Sequence, residues 1–240
     1  MSRQQHPSLA RIYRQCSDDD EILFIDESFQ IDDRYEESFY TISAALYPYG
    51  QLEDLREDLR EIISKDGYYL DRNYPYWHST EAFLTPEGKR TFVDLLKYLS
   101  ENEDSFFVTC QSPIPREEEN KNNRRRQPTP EEQARRNCLK ELLAFTTSNF
   151  PIVGAVFEAR KTSTENDRDK RVLKNFSSKV IPTNFQRAWV SPRDENALWV
   201  PDIVGMAYRR TRTHSDITSQ YFGAYIENHT RVKELTGDRT

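Results

Sequence analysis

Two short apolar runs, each leading into an acid, constrain the fold of this chain most. Residues 22–25 (ILFI) lead into Asp26, and residues 152–157 (IVGAVF) lead into Glu158. Continuous apolar runs of this length, rich in strand formers and without polar alternation, are typical of strands buried on both faces of a sheet. The sequence therefore predicts at least two central strands, each with a carboxylate where the strand is expected to end.

Helical patterns alternate with the strands along the chain. In residues 51–65, leucine and isoleucine recur every three or four positions, which predicts an amphipathic helix. Thr85-Pro86 and Thr129-Pro130 are helix-start signals, because a first-turn proline lacks an N–H that would have no partner there. The other predicted elements are strands at 38–47, 105–111 and 187–191 and helices at 167–180 and 197–210. Interleaved strands and helices favour an α/β fold with a mixed sheet and helices on its faces.

The length and composition of the chain fit a single domain. Its 240 residues are 36% hydrophobic, which is enough for one core. Residues 1–20 are polar and predict a flexible N-terminal arm, and residues 229–240 predict a C-terminal tail. Residues 113–128 are crowded with Pro, Asn, Glu and Arg and predict a mobile surface loop. The expected domain spans residues 21–228.

Several functional classes lack their sequence signatures here. No stretch approaches the roughly 18 apolar residues of a membrane span, and the first residues lack an apolar secretory core, so we expect a cytoplasmic protein without membrane contact. The patterns GxxxxGK(S/T), GxGxxG, GxSxG and HExxH are absent. The net charge of −6 gives no global basic field, so nucleic-acid contacts must be local. Local basic clusters lie at residues 124–126, 135–136, 168–174 and 209–212. Most charge runs are merely solvated surface, but any of these clusters could contact a phosphate, and we expect Arg209, Arg210 and Arg212 to hold a nucleic-acid strand.

Asp202 is the least ordinary acid of the chain. It lies in a predicted apolar helix, between the segments LWV and IV. An ionised carboxylate buried there is costly unless it is paired or bound to a metal ion. Asp202 also fits an acid near a helix N-terminus, which the helix dipole stabilises without any function. Asp26 has a similar second interpretation, because acids are common where strands turn.

Four acids of the chain together suit a divalent-metal site. Mg²⁺ is a hard, octahedral ion that prefers carboxylate and water oxygens, and a hydrolase with two such ions needs ligands from separate elements. Asp26, Asp202, Glu158 and Glu81 are the candidate ligands for Mg²⁺ or Mn²⁺. His78 is a candidate proton shuttle or partner of an acid, although a single histidine beside a tryptophan is more often structural.

Two segments resemble the DUF3800 family of bacterial and phage proteins. They are residues 24–28 (FIDES) and residues 197–207 (ALWVPDIVGMA), which are similar to the family's IDES-G start and its late LQLADLVAGA-like helix. His78 and Glu81 stand where the family often carries a His-x-x-Glu segment. Order and spacing fit across about residues 21–212. Phe29 and Pro201 depart from the family pattern, where glycine and alanine are usual.

The resemblance implies a ribonuclease H-like fold and a site for two divalent metal ions. Carried over to this sequence, Asp26 and Asp202 are the expected ligands, with Glu81 or Glu158 completing the set. We therefore expect a Mg²⁺- or Mn²⁺-dependent nuclease that hydrolyses a phosphodiester with metal-activated water. The family context implies a role in phage defence or on a mobile element.

Two other functions remain open at this point. One is a catalytically inert ribonuclease H-like module that binds a protein or nucleic acid through the aromatic segment 68–77. The other is a toxin-like ribonuclease. We expect nucleic acid, either RNA or DNA, to be a partner of this protein. The sequence does not decide whether it also binds another protein or forms a homo-oligomer.

Overall fold

One mixed sheet forms the centre of the molecule. The structure, a computed structural model, describes residues 6–31, 37–65, 76–102, 105–114, 128–160, 162–176, 181 and 183–236. The strands within them are β1 (Glu21–Gln30), β2 (Phe39–Pro48), β3 (Ser105–Ser112), β4 (Ile152–Glu158), β5 (Gln186–Val190) and β6 (Thr230–Thr236). Their order across the sheet is β5-β4-β1-β2-β3-β6. β1, β2 and β3 form an antiparallel meander, whereas β4 pairs in parallel with β1, β5 with β4 and β6 with β3.

Helices cover both faces of this sheet. The helices in the described part of the chain are α1 (Pro7–Tyr13), α2 (Leu52–Lys65), α3 (Ser79–Ala82), α4 (Pro86–Glu101), α5 (Pro130–Asn149), α6 (Ser163–Lys174) and α7 (Trp199–Thr213). α1, α2, α4 and α7 contribute to the core on one face, and α5 and α6 contribute to the core on the other. The predicted α/β fold, a mixed sheet flanked by helices, is confirmed. Among the described helices, none combines the length and the apolar character needed to cross a membrane.

The first strand, β1, shows why the apolar runs form central strands. Ile22 and Phe24 pack into the core beneath α2, α4 and α7, while Leu23 and Ile25 pack into the core beneath α5. Successive side chains of a strand point to opposite faces of the sheet, so an uninterrupted apolar run serves two cores at once. None of these four side chains is more than 4% exposed.

Both described chain ends belong to the folded domain, which corrects the prediction of an arm and a tail. α1 buries Leu9, Ile12 and Tyr13 and packs against β5. Its apolar pattern covers less than two helical turns, which is too short to stand out among polar neighbours. β6 pairs in parallel with β3 along Thr230–Thr236. Most of its side chains are exposed, so it lacks the apolar alternation that reveals a strand in a sequence.

The largest difference between predicted and observed helix bounds is at α6. The helix expected at 167–180 is α6, which begins earlier, because Thr162 and Glu165 form a capping box before it. It ends at Lys174. Of the predicted mobile loop, residues 115–127 lie outside the described residues.

A buried carboxylate connects three elements at the entrance to α7. Glu195 is 2% exposed and accepts hydrogen bonds from the Arg56 guanidinium at 2.9 and 2.7 Å. It also accepts from the Tyr13 hydroxyl at 2.5 Å and from the Ala197 backbone N–H at 3.1 Å. α1, α2 and the turn that leads into α7 therefore meet at one side chain.

Replacing this acid, Glu195→Ala, should destabilise the protein by about 3 kcal/mol, because it leaves the half-buried Arg56 and the Tyr13 hydroxyl without their acceptor. Urea unfolding at equilibrium measures the loss. Glu53→Ala is the matched control, since Glu53 contacts the same arginine but is 68% exposed and should cost less than about 1 kcal/mol. Equal losses in the two variants would contradict the role of Glu195.

Candidate functional site

A cleft opens where β1 and β4 separate. Ile25 and Phe157 are the last paired residues of these parallel strands. Beyond them β1 continues along β2, whereas β4 ends and the chain passes to α6 and β5 on the other side. In open α/β sheets, ligands bind in the crevice at the carboxyl ends of two neighbouring strands when the segments that follow those strands lead in opposite directions. The β1–β4 cleft has a volume of about 500 Å³, and its lining includes Asp26, Glu158, Asp202, His78, Arg209 and Phe29.

The strands bring Asp26 and Glu158 to one face of the sheet. Phe24 pairs with Val156, and the next residues of the same face are Asp26 on β1 and Glu158 on β4. The prediction that Asp26 ends its strand is wrong. Asp26 pairs with Ser43, and the pairing of β1 with β2 continues for four more residues, to Gln30 and Phe39. Asp26 lies instead where the parallel pairing stops and the cleft begins.

A close contact between α7 and β2 places Asp202 above Asp26. A Cβ atom on Gly205 would lie 2.6 Å from the Ser43 Oγ atom, so the helix approaches the sheet as only glycine allows. The Ser43 hydroxyl donates to the Pro201 carbonyl at 2.8 Å. Because Ser43 is the cross-strand partner of Asp26, this contact aligns the first turn of α7 with the acid on β1.

Pro201, which departs from the family pattern, fits this helix without distortion. It lies in the first turn of α7 and is buried. The N–H groups of a first helical turn have no partner within the helix, so a proline there loses nothing.

We predict that Gly205→Ala destabilises the protein by about 1–3 kcal/mol, because the added methyl group overpacks the contact with Ser43. In a helix interior the same change is otherwise favourable by up to about 1 kcal/mol. The double variant Ser43→Ala/Gly205→Ala should recover most of the loss, since the nearest remaining side-chain atom, the Cβ of residue 43, lies at an ordinary 3.4 Å. Chemical unfolding of the three variants measures this; a single variant as stable as the parent would contradict the close contact.

Asp202 is held from the side by the segment before α3. One of its carboxylate oxygens accepts from the Ser79 backbone N–H at 2.7 Å. The Ser79 hydroxyl in turn accepts from the Trp77 indole at 3.0 Å. Burial raises the pKa of Asp202 and the nearby Glu81 adds to the rise, while His78 and the Ser79 hydrogen bonds oppose it. Asp202 also lies in the first turn of α7. Its position therefore agrees with the second interpretation of the sequence, an acid near a helix N-terminus.

Neighbouring acids add to the effect of burial on the pKa values of Asp26 and Glu158. Burial raises the pKa of Asp26 well above its ordinary value, and the neighbouring Glu158 and Asp202 add to the rise, with Arg135 opposing it. Burial also raises the pKa of Glu158; there Asp202 adds to the rise, while a hydrogen bond with Asp26 and the nearby His78 oppose it. Three acids from three elements therefore line one cleft, and burial favours the protonated form of each.

The other predicted catalytic residues divide between the cleft and the surface. His78 lines the cleft, and its buried Nδ1 atom has no hydrogen-bond partner among the described residues. Glu81, in the first turn of α3, is exposed and does not line the cleft. Trp77, expected in an interaction surface, is 1% exposed and belongs to the core; residues 68–75 of that segment lie outside the described residues.

The predicted arginine cluster is split by the helix. Arg209 lines the cleft and makes no ion pair within the described part of the chain. Arg210 donates to the Thr218 hydroxyl and lies 4.0 Å above the centre of the Phe83 ring. Arg212 pairs with Glu234 at 2.8 Å. Among the three predicted nucleic-acid contacts, the structure brings Arg209 alone to the acids.

Sequence reasoning missed a cluster of ion pairs that lines the same cleft from the α5 side of the sheet. Arg135 of α5 donates to both carboxylate oxygens of Asp169, at 2.9 and 2.6 Å, and contacts Glu27. Arg160 lies 3.2 Å from Glu132 and 3.6 Å from Glu27. One signal was available: Arg135 follows the apolar spacing of α5 with Cys138 and Leu142, positions that a solvated arginine would not share.

Comparisons with known proteins do not show a family for this chain. No family model matches the chain, so its membership of DUF3800 stays a prediction. No curated protein matches it. Among solved structures it is similar to Bst ribonuclease HIII, crystallised in complex with Mn²⁺, at 12% identity and a TM-score of 0.45. The match covers 84% of this chain but 55% of that one, so the chain spans about half of that enzyme's length.

The described residues do not form a finished metal site. Among them, no group of three or more His, Cys, Asp or Glu side chains is arranged to hold a metal ion. The donor chemistry nevertheless suits one, since Asp26, Glu158 and Asp202 offer only carboxylate oxygens, the ligands that Mg²⁺ and Mn²⁺ prefer.

Proposed function

We propose that this protein is a divalent-metal-dependent nuclease of the ribonuclease H-like type, which hydrolyses nucleic-acid phosphodiesters in the β1–β4 cleft. One observation carries the proposal: Asp26, Glu158 and Asp202 reach one cleft from three separate elements, and burial raises the pKa of each of them. Perturbed acids that converge in a cleft mark candidate functional sites. A role in phage defence or on a mobile element is the finer part of this proposal, from the DUF3800 resemblance alone.

Asp26, Asp202 and Glu158 would hold the metal ions in this proposal. The sequence left Glu81 or Glu158 open as the third ligand, and the exposed position of Glu81 favours Glu158. When bound, Mg²⁺ or Mn²⁺ would polarise the phosphodiester and generate the attacking hydroxide.

The remaining polar side chains of the cleft have distinct roles in the proposal. Arg209 lacks an ion-pair partner among the described residues, so its guanidinium is available for a phosphate group of the bound strand. The buried Nδ1 atom of His78 has no hydrogen-bond partner among the described residues and lies near Asp202 and Glu158, where it can orient an acid or accept a proton. In this proposal the metal ligands, the phosphate contact and the proton carrier would all come from the cleft.

The test is an incubation of the purified protein with RNA, single-stranded DNA and duplex, in Mn²⁺ or Mg²⁺ and in EDTA. We expect metal-dependent cleavage that Asp26→Ala abolishes. If nothing is cut, or if the variant cuts as fast as the parent, the proposal fails. The competing function, an inert ribonuclease H-like binding module, is favoured by the absence of a finished metal site among the described residues; binding of nucleic acid without cleavage in any metal would support it.

A further inference from the structure

Phe29 is a large apolar side chain at the rim of a polar cleft. It lies on β1, three residues after Asp26, and lines the β1–β4 cleft together with the three acids. Its side chain is 49% exposed. A phenylalanine exposed to this extent beside buried carboxylates contributes little to the core, and its free surface is accessible to a ligand in the cleft.

The Phe29 ring is fixed from behind. It stacks on the ring of Tyr40, with centroids 5.5 Å apart and planes inclined by 4°. Tyr40 is itself buried, and its hydroxyl donates to Glu27 and accepts from Arg135 at 3.2 Å. One face of Phe29 is therefore covered by an immobile ring, while the exposed part of the side chain faces the cleft and solvent. This arrangement is a rigid platform for another flat, aromatic group.

The charges of the cleft indicate which flat group fits. Arg209, on the α7 side, has no ion pair within the described residues, whereas Arg135 and Arg160, on the side of Phe29, are already paired with acids. An anionic group is therefore expected at Arg209, and a flat, uncharged group at Phe29. A nucleotide strand has this chemistry, with a phosphate backbone and stackable bases.

We propose that Phe29 stacks against an unpaired base of the bound strand, so that the substrate is single-stranded nucleic acid or a site with an unpaired nucleotide. This inference rests on the proposed nuclease function and adds the substrate class to it. A base within a duplex is covered on both faces by its neighbours, so it has to leave the stack before it can meet a side chain. A strand that is already unpaired meets the ring without that cost.

Fluorescence anisotropy with a labelled single strand of about 12 nucleotides tests the platform. Binding is measured in Ca²⁺, a hard cation that takes the same oxygen ligands, and a gel confirms that the strand stays intact. Phe29→Ala should bind about 5- to 150-fold more weakly, the range that a single base–aromatic stack contributes. Phe29→Tyr should bind like the parent protein. Leu84→Ala, which removes an apolar side chain 80% exposed outside the cleft, should also leave affinity unchanged.

A scan of abasic sites along the strand separates stacking from a general structural effect. At one position, loss of the base should weaken binding to the parent protein by the same factor as Phe29→Ala, and should cost nothing further in that variant. If abasic sites weaken both proteins alike at every position, Phe29 does not stack on a base and the inference is overturned.

Failure of this inference is distinguishable from failure of the proposed function. If the parent protein cuts or binds nucleic acid but prefers duplex, and Phe29→Ala has no effect, the nuclease stands and the substrate class is wrong. If the parent protein neither binds nor cuts any strand in Ca²⁺, Mn²⁺ or Mg²⁺, the proposed function fails and the substrate class with it.

Discussion

Asp26→Asn is expected to stabilise the metal-free protein at pH 7 by more than about 1 kcal/mol, although it removes a side chain that we place at the centre of the site. Burial and two neighbouring acids raise the pKa of Asp26, so its charged form is unfavourable in the folded state. Asparagine keeps the shape and removes the charge. Functional sites commonly store such unfavourable arrangements, which is why replacing their residues can stabilise a fold.

The pH dependence of this gain has a definite sign. A carboxyl group with a raised pKa binds more protons in the folded state than in the unfolded state, so it lowers stability as the pH rises above its unfolded pKa of about 4. The difference between Asp26→Asn and the parent protein should therefore be small near pH 4 and grow toward pH 7. Thermal or urea unfolding in EDTA across this range measures it.

The control for this experiment is Asp19→Asn, which neutralises an exposed acid that does not line the cleft. It should change stability by less than about 0.5 kcal/mol at any of these pH values. An Asp26→Asn protein that is less stable than its parent, or whose advantage shrinks as the pH rises, would show that the carboxyl group is stabilised by contacts other than those described.

Glu158→Gln is expected to lower metal-dependent cleavage by more than about 100-fold, whereas Glu81→Gln should change it less than about threefold. Loss of a group that merely supports a metal ligand costs about 10- to 100-fold, and loss of a ligand should cost more. Glu158 lies on the strand beside Asp26, but Glu81 is exposed in α3. The comparison decides between the two acids that the sequence left open.

Initial cleavage rates in Mn²⁺ measure this difference, with substrate above and below its KM. Glu87→Gln, in the first turn of α4 and 47% exposed, serves as the control for loss of one negative charge. Strong loss in Glu81→Gln and none in Glu158→Gln would move the third ligand to α3 and contradict our placement of the site.

Much of the fold could be predicted because its signals are local. The runs that form β1 and β4 are continuous and apolar, and the helices α4 and α5 begin at Thr-Pro signals that the structure confirms as caps. Such patterns depend on neighbours within one strand or one turn. The edge strand β6 and the short helix α1 lack them, since their stability comes from partners far away in sequence.

The candidate site was predictable to a similar extent. Asp26 and Glu158 follow apolar runs, which is a local signal, and Asp202 interrupts one. Helical geometry could also have divided the arginine cluster: Arg209 lies seven residues after Asp202, two turns along the same face. Arg210 and Arg212, eight and ten residues after it, lie about 80° to either side of that face.

Contacts between distant segments could not be read from the sequence in this way. Ser43 and Gly205 are ordinary residues in their own segments, and only their approach shows that they position α7. The same holds for Arg135 and Asp169, whose pairing joins α5 to α6. Such positions depend on how whole elements pack, and one sequence does not contain that information in a local pattern.

The most direct test of the account is whether the three acids bind a divalent ion. Isothermal titration calorimetry of the metal-free protein with Mn²⁺ measures the number of ions and their affinity, independently of any substrate. We predict that one or two ions bind to the parent protein and to Asp19→Asn, and that binding is lost or strongly weakened in Asp26→Asn and Asp202→Asn. If Mn²⁺ does not bind the parent protein, or binds all four proteins equally, the cleft is not a metal site and the nuclease proposal is contradicted.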